Sequence, residues 1–168
     1  THVAILASDS FEGRNKNNQS IVLSINYIQN EFRNAGLKSF KDDYLQLIEI
    51  KGNTNNNGYN IIGYIEGSDS ILKHEYIIMG AHYDHLGTKI KDGKTVIYNG
   101  ADDNASGVAT IIEIAKYLSQ NNIRLKRSMN SEGGGLFIGR DARVQEFTRL
   151  KIPNVPLIWR GTVGELQK

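Results

Sequence analysis

The feature that most constrains this chain is an unbroken apolar run, "EYIIMGAH" (75–82), followed by an amphipathic stretch, "NASGVATIIEIAKYLSQNN" (104–122). A continuous apolar run of that length fits a strand in a sheet covered on both faces. In the second stretch Val108, Ile111, Ile112, Ala115 and Leu118 share one helical face. An earlier segment, "SIVLSINYIQNEFRNAGL", places Ile21, Ile25, Ile28, Phe32 and Ala35 on another helical face. Ser20 stands where an N-cap belongs and Gly36 where the helix should stop. "NIIGYIEG" (60–67) reads as a further strand, and the polar "KGNTNNNGYN" before it as a turn or loop. "TKIKDGKTVIYNG" carries Asp92-Gly93 between β-prone runs, the signature of a hairpin. Strands alternating with helices predict an α/β sandwich.

Composition narrows the function classes. At 168 residues the chain suits one domain with a real core, and 39% hydrophobic with 23% charged residues is ordinary for a globular protein. A formal charge of +2 argues against a nucleic-acid partner, and no apolar run is long enough for a membrane-spanning segment. With no cysteine, disulfides and thiolate metal sites are both excluded, so any metal is held by His and carboxylates. "THVAILASDS" has neither an initiator Met nor a signal peptide and reads as the start of a trimmed or processed chain.

Beyond residue 124 the character changes. Residues 124–168 hold nine Lys+Arg against four Asp+Glu, whereas residues 1–123 hold eleven against fourteen, a shift that fits either a second subdomain or a segment of different origin. Three consecutive glycines follow Glu132, and both prolines lie in this stretch. Residues 129–135 are expected to be irregular, and the region up to Leu150 loosely packed or partly helical. Ile152, Val155, Leu157, Ile158 and Trp159 suit one short strand or a docking segment around the prolines.

Two motifs carry chemistry. Ligands of open α/β sheets sit beyond the carboxyl ends of the strands, and "MGAHYDHLG" delivers His82, Asp84 and His85 there. If the strand persists, His82 and Asp84 point the same way and His85 elsewhere. A His with a carboxylate two residues on suits a metal ligand with its orienting acid. The second motif, "NGADDNASG" (99–107), sets Asp102 and Asp103 side by side at a helix start. Helix capping explains one Asp there; two adjacent carboxylates call for a cation or donors. The combination favours a divalent-metal hydrolase.

"HVAILASDSFEGR", "GAHYDHLG" and "YNGADDNASGVATIIEIAKYL" together resemble the zinc-dependent aminopeptidases with two co-catalytic zincs, a family that also includes glutaminyl cyclases and glutamate-carboxypeptidase-like ectodomains. The resemblance covers about residues 1–128 and implies a three-layer α/β/α sandwich with a mostly parallel mixed sheet, incomplete in this chain. Residues 1–128 would form the N-terminal part of the catalytic domain, and residues 129–168 an atypical C-terminal segment. His82 would ligate one zinc, Asp84 would orient it, Asp102 would bridge both metals, and Asp103 would shape the turn. His85 has no ligand role in that pattern. The two zincs would share and acidify a water that attacks a peptide carbonyl. A peptide substrate and a secreted, periplasmic or cell-envelope location follow from the same resemblance; the oligomeric state stays open.

The tail departs from the family pattern. Where the family has a Glu-Glu pair, its first member the general base, this chain offers Glu132 alone in "KRSMNSEGGGLFIGR". Leu136 stands where a ligand Asp is expected, and no histidine follows His85. Zinc needs three or more protein ligands. The favoured explanation is the N-terminal part of a longer enzyme with an altered tail. The alternatives are an inactive homologue acting as a binding module and a glutaminyl cyclase-like enzyme.

Overall fold

The computed structural model describes residues 1–15, 19–39, 43–48, 58–74, 77–129, 136–139 and 157–160. In chain order they form α1 (His2–Leu6), a 3-10 segment (Asp9–Arg14), α2 (Ser20–Asn34), β1 (Lys38–Ser39), β2 (Leu45–Ile48) and β3 (Gly58–Tyr64). A 3-10 turn (Leu72–His74), β4 (Ile78–His82), β5 (Gly87–Lys91), β6 (Lys94–Tyr98), a π-helical turn (Ala101–Ala105) and α3 (Ser106–Gln120) follow, then β7 (Leu136–Gly139) and β8 (Leu157–Arg160).

The two long helices form where the apolar spacing places them. Ile25, Ile28, Phe32 and Ala35 of the α2 face are buried, as are Val108, Ile111, Ile112 and Ala115 of α3. Phe32, Ile28, Val108, Ile111 and Ile112 are wholly enclosed, each side chain contributing about 1.5–3 kcal/mol by leaving water. Ser20 does not cap α2: it is the first helical residue, Gln19 holds the cap position, and the buried Ser20 hydroxyl has no partner among the described residues. Gly36 does end the helix. Its N–H donates to Arg33 O at 2.9 Å and that of Leu37 to Phe32 O at 3.1 Å, the paired bonds of a Schellman stop. His2, Tyr27, Glu31, Glu113 and Lys116 join the three helices through a polar cluster. In it the His2 ring stands 2.5 Å from the Tyr27 hydroxyl and 2.7 Å from Glu113. Burial, with the charges of Glu31 and Glu113, pushes the Tyr27 phenol up to about 12.

The main sheet runs β1-β3-β7-β4-β8, with β2 also on β3. Among the described residues the pairs β1·β3, β2·β3 and β3·β7 are antiparallel, and β4·β7 and β4·β8 are parallel. The sheet is therefore mixed, as expected, but not mostly parallel. The chain returns from β2 to β3 as neighbouring strands, which forces the antiparallel sense. Ile61 belongs to the core that α2 and α3 cover, and Ile62, one residue on, is buried on the opposite side of the strand.

The tail contributes backbone to this sheet. Leu136–Gly139 forms β7 between β3 and β4, and Leu157–Arg160, part of the stretch expected to make a strand or docking segment, forms β8 on β4; Ile152 and Val155 of that stretch lie outside the described residues. Met129, expected to be irregular, is buried and exchanges two backbone hydrogen bonds with Ile65, at 2.7 and 2.9 Å. Residues 130–135 and 140–150, which include Glu132, lie outside the described residues. The β5–β6 hairpin stands apart as a two-stranded ribbon. Its register pairs Lys91 with Lys94, leaving Asp92 and Gly93 as a two-residue turn with φ of 51° and 74°, the left-handed pair that Asp-Gly favours.

Candidate metal site

The site is assembled where β4 ends. His82 is the last strand residue. Tyr83 turns inward, buried, with its hydroxyl donating to Tyr59 O at 2.9 Å, and this anchors the chain between His82 and Asp84. His82 Nδ1 lies 2.9 Å from the backbone oxygen of Asp84 and 3.6 Å from its carboxylate. That contact holds Nδ1 on the Asp84 side and leaves Nε2 facing outward, as an orienting acid does.

What Nε2 faces is Asp103. The separation from His82 Nε2 to Asp103 Oδ1 is 2.8 Å, and the other Asp103 oxygen lies 3.5 Å from His85 Nδ1. Asp102, assigned the bridging role from the sequence, is exposed, and no ion pair involves it among the described residues. Its backbone oxygen accepts from the Ser106 hydroxyl at 2.9 Å. The difference arises in the turn. Asp103 and Asn104 leave helical geometry, with φ, ψ of −114°, 88° and −136°, 41°, and this swings the second carboxylate toward the strand end. His85 also differs from expectation, since it is drawn into the site rather than away. Gly100 makes room for it: at φ 59° a Cβ there would stand 2.6 Å from the His85 ring.

The charges fall into opposition. Burial pulls the His82 pKa down, but hydrogen bonds to Asp84 and the charges of Asp84 and Asp103 outweigh it, and the net shift is upward. At His85 burial wins, helped by Arg14 and His82 against the carboxylates, and its pKa is lowered.

One residue beside these groups was given no role from the sequence. Arg14 is completely buried and reaches into the middle of the site from the 3-10 segment. Its Nε donates to Tyr83 O at 2.8 Å, Nη1 to Leu6 O at 2.6 Å and to Asn99 O at 2.7 Å, and Nη2 to Gly100 O at 2.7 Å. Its own backbone oxygen accepts from the His85 N–H at 3.1 Å. Burial lowers its pKa, while the charges of Asp84 and Asp103 raise it. Asn99 adds a strap, donating to Ala7 O at 2.9 Å and to Asp9 at 2.8 Å. The sequence signals of Arg14 were its place at the end of the family-like stretch "HVAILASDSFEGR" and its being the only arginine of the first 32 residues.

An imidazole nitrogen and a carboxylate oxygen at this spacing suit zinc in donor type. In number they are half a site: among the described residues no group of three or more His, Asp or Glu converges as a metal centre.

Fold and site together describe an α/β protein with a His–carboxylate pair beyond the carboxyl end of a sheet strand. Known proteins narrow that class. Residues 60–130, which hold both motifs, match Peptidase family M28. The uncharacterized protein YfbL of Escherichia coli (strain K12) is 52% identical over 44 residues, which are 26% of this chain and 13% of YfbL. A Zn-dependent exopeptidase from Parabacteroides distasonis aligns with a TM-score of 0.53 at 22% identity, over 82% of this chain and 42% of its own. The glutaminyl cyclase of Tannerella forsythia aligns with a TM-score of 0.55 at 19% identity, over 82% of this chain and 43% of its own. At these identities the two structures share the fold. The chain thus spans less than half the length of these relatives, and the resemblance to zinc exopeptidases covers a segment of it.

Proposed function

We propose that this chain carries part of the metal site of a zinc-dependent peptidase, with aminopeptidase action on peptide N-termini as its activity. The observation that carries the reading is the 2.8 Å approach of Asp103 to His82 Nε2 inside the segment that matches the M28 peptidases. In this reading His82 and Asp103 are the ligands, and Asp84 orients His82. Zinc bound there supplies Lewis acidity for water and for the peptide carbonyl. Glu132 stands as general base by resemblance alone. The division at residue 128, a catalytic part before it and an atypical segment after it, belongs to the same proposal. So does a secreted or envelope location; among the described residues no helix is long and apolar enough to cross a membrane.

A second reading, cyclisation of N-terminal glutamine, is favoured by the fold shared with the Tannerella forsythia glutaminyl cyclase. Zinc analysis, hydrolysis of aminoacyl-nitroanilides and product analysis with an N-terminal Gln peptide separate the two. Nitroanilide release that depends on His82 supports the peptidase; pyroglutamate formation without release supports the cyclase. Tight zinc binding with neither product leaves a non-catalytic metal-binding module.

A further inference from the structure

We propose that the β5–β6 ribbon docks an extended acidic peptide, added as a third strand on the free edge of β5 with its carboxylates on the ribbon's lysine face. No bound metal is needed for this.

The register fixes the two faces. Directly paired residues share a face, and every second residue along a strand returns to it. Lys89, Lys91, Lys94, Val96 and Tyr98 therefore lie on one face, and Thr88, Ile90, Thr95 and Ile97 on the other. Residues 88–91 and 94–96 are all exposed, so the ribbon buries neither face of its outer part. Two strands with two wet faces are marginal by themselves. The base supplies the anchor. Asn15 Nδ2 donates to Leu86 O at 3.1 Å, and Gly13 approaches Gly87 O and Tyr98 O too closely for a Cβ. The ribbon thus stands out from the rim of the site, leaving soon after His85 and returning at Asn99, with both outer edges unpaired among the described residues.

Its charge is opposite to that of its surroundings. Residues 87–98 hold three lysines and one aspartate, whereas the rest of residues 1–123 holds eight Lys+Arg against thirteen Asp+Glu. An acidic ligand is repelled by the body and drawn to the ribbon. Lys91 stands directly across from Lys94, a like-charged pair that costs stability. Among the described residues none of the three lysines has a carboxylate within salt-bridge distance. Lys89 lies instead over the Tyr98 ring, 5.4 Å from its centre, which holds the ammonium above the face. An anion set among these ammonium groups relieves their repulsion.

The backbone supplies the rest. A free strand edge offers unpaired N–H and C=O groups, and an extended peptide takes them by adding a strand. The β5 edge is favoured, because β5 carries two of the three lysines. Side chains alternate along the added strand, so carboxylates at every second position fall on the lysine face. The partner is therefore a segment with alternating acidic residues, a pattern that a generic polyanion lacks.

The test uses the 168-residue chain, 15N-labelled, and a fluorescent seven-residue peptide of alternating Thr and Glu. Beside it stand a peptide of the same composition with its glutamates consecutive, inorganic tripolyphosphate, and vesicles of phosphatidylglycerol and phosphatidylcholine. In fluorescence anisotropy the alternating peptide should bind at least about fivefold more tightly than the block peptide. It should also shift the amides of residues 88–91 and slow their exchange. Lys89→Glu combined with Lys91→Glu should weaken binding at least about tenfold, while Lys126→Glu, at an exposed lysine elsewhere, keeps it. Lys91→Glu alone guards against a misfolded variant. Opposite Lys94 it turns a repulsive pair into an attractive one, so the amides of Asp92 and Gly93 should exchange more slowly even as peptide affinity falls. No binding at about 1 mM alternating peptide, equal affinity for the block peptide, displacement by tripolyphosphate as effective as by unlabelled peptide, or unchanged binding in the double variant overturns the proposal. So does attachment to the vesicles through these lysines without peptide binding, which makes the face a lipid-surface contact.

Discussion

His82 Nε2 and Asp103 Oδ1 face each other at 2.8 Å, one from the last residue of a strand and the other from the turn that opens α3. Asp102, one residue away, has no such partner among the described residues. Asp103→Asn keeps the size and removes the charge, so zinc affinity should fall at least tenfold, about 1.4 kcal/mol. Asp102→Asn should leave it nearly unchanged. Calorimetric titration of both variants checks the assignment, and a larger loss in Asp102→Asn would return the ligand role to that residue.

Gly13 is packed against the base of the hairpin. A Cβ there would stand 2.5 Å from both Gly87 O and Tyr98 O, and the residue holds φ 67°. Gly13→Ala must shift backbone on two strands, so a destabilisation of about 1–3 kcal/mol is expected in urea unfolding. Gly93→Ala is the control. It shares the positive φ but has open space around it, and it should cost less.

Phe32 and Ile112 are enclosed where α2 and α3 meet the sheet. Phe32→Ala should cost about 3–5 kcal/mol and Ile112→Ala about 2–5 kcal/mol, read from denaturant midpoints. The exposed Tyr117→Ala on α3 should lie within about 0.5 kcal/mol of the parent.

Asp69 supplies a pH dependence. Its carboxylate accepts the N–H groups of Leu72 at 2.8 Å and Ile71 at 2.9 Å, and these bonds hold its pKa below the usual 3.8. A depressed folded pKa means that the stabilisation is present above the unfolded pKa and lost as pH falls through the folded one. Asp69→Asn keeps an acceptor and loses the charge. The parent should therefore be the more stable at neutral pH, and the two unfolding midpoints should converge below about pH 3. A constant gap across that range would assign the bond no ionic part.

The elements legible in the sequence were those whose cause is local. The α2 and α3 faces follow from spacing within one helix, and the Asp92-Gly93 turn from two residues with left-handed φ. His82 and the Asp102-Asp103 turn were legible as a pair because polar groups at a strand end and a helix start are unusual together. Which carboxylate meets His82 was not legible, because it depends on the backbone of Asp103 and Asn104, which no periodicity encodes. Arg14 was hidden for another reason: its partners are main-chain oxygens at Leu6, Tyr83, Asn99 and Gly100, and carbonyls leave no mark on a sequence. The place of β7 is likewise a matter of long-range pairing, which composition reads only as a glycine-rich tail.

That place has a consequence during synthesis. β3 and β4 are made early, yet they never touch as partners, because Leu136–Gly139 lies between them. Until those four residues leave the ribosome, the nascent sheet has an empty slot with an unpaired edge on either side. Helices α2 and α3 can pack before then, but the sheet closes only on late, distant contacts, which are slow to form. A ribosome that paused near the end of α3 would hold out three open strand edges, one of β3 and both of β4, and that interval is when the chain is most exposed to pairing with another copy of itself.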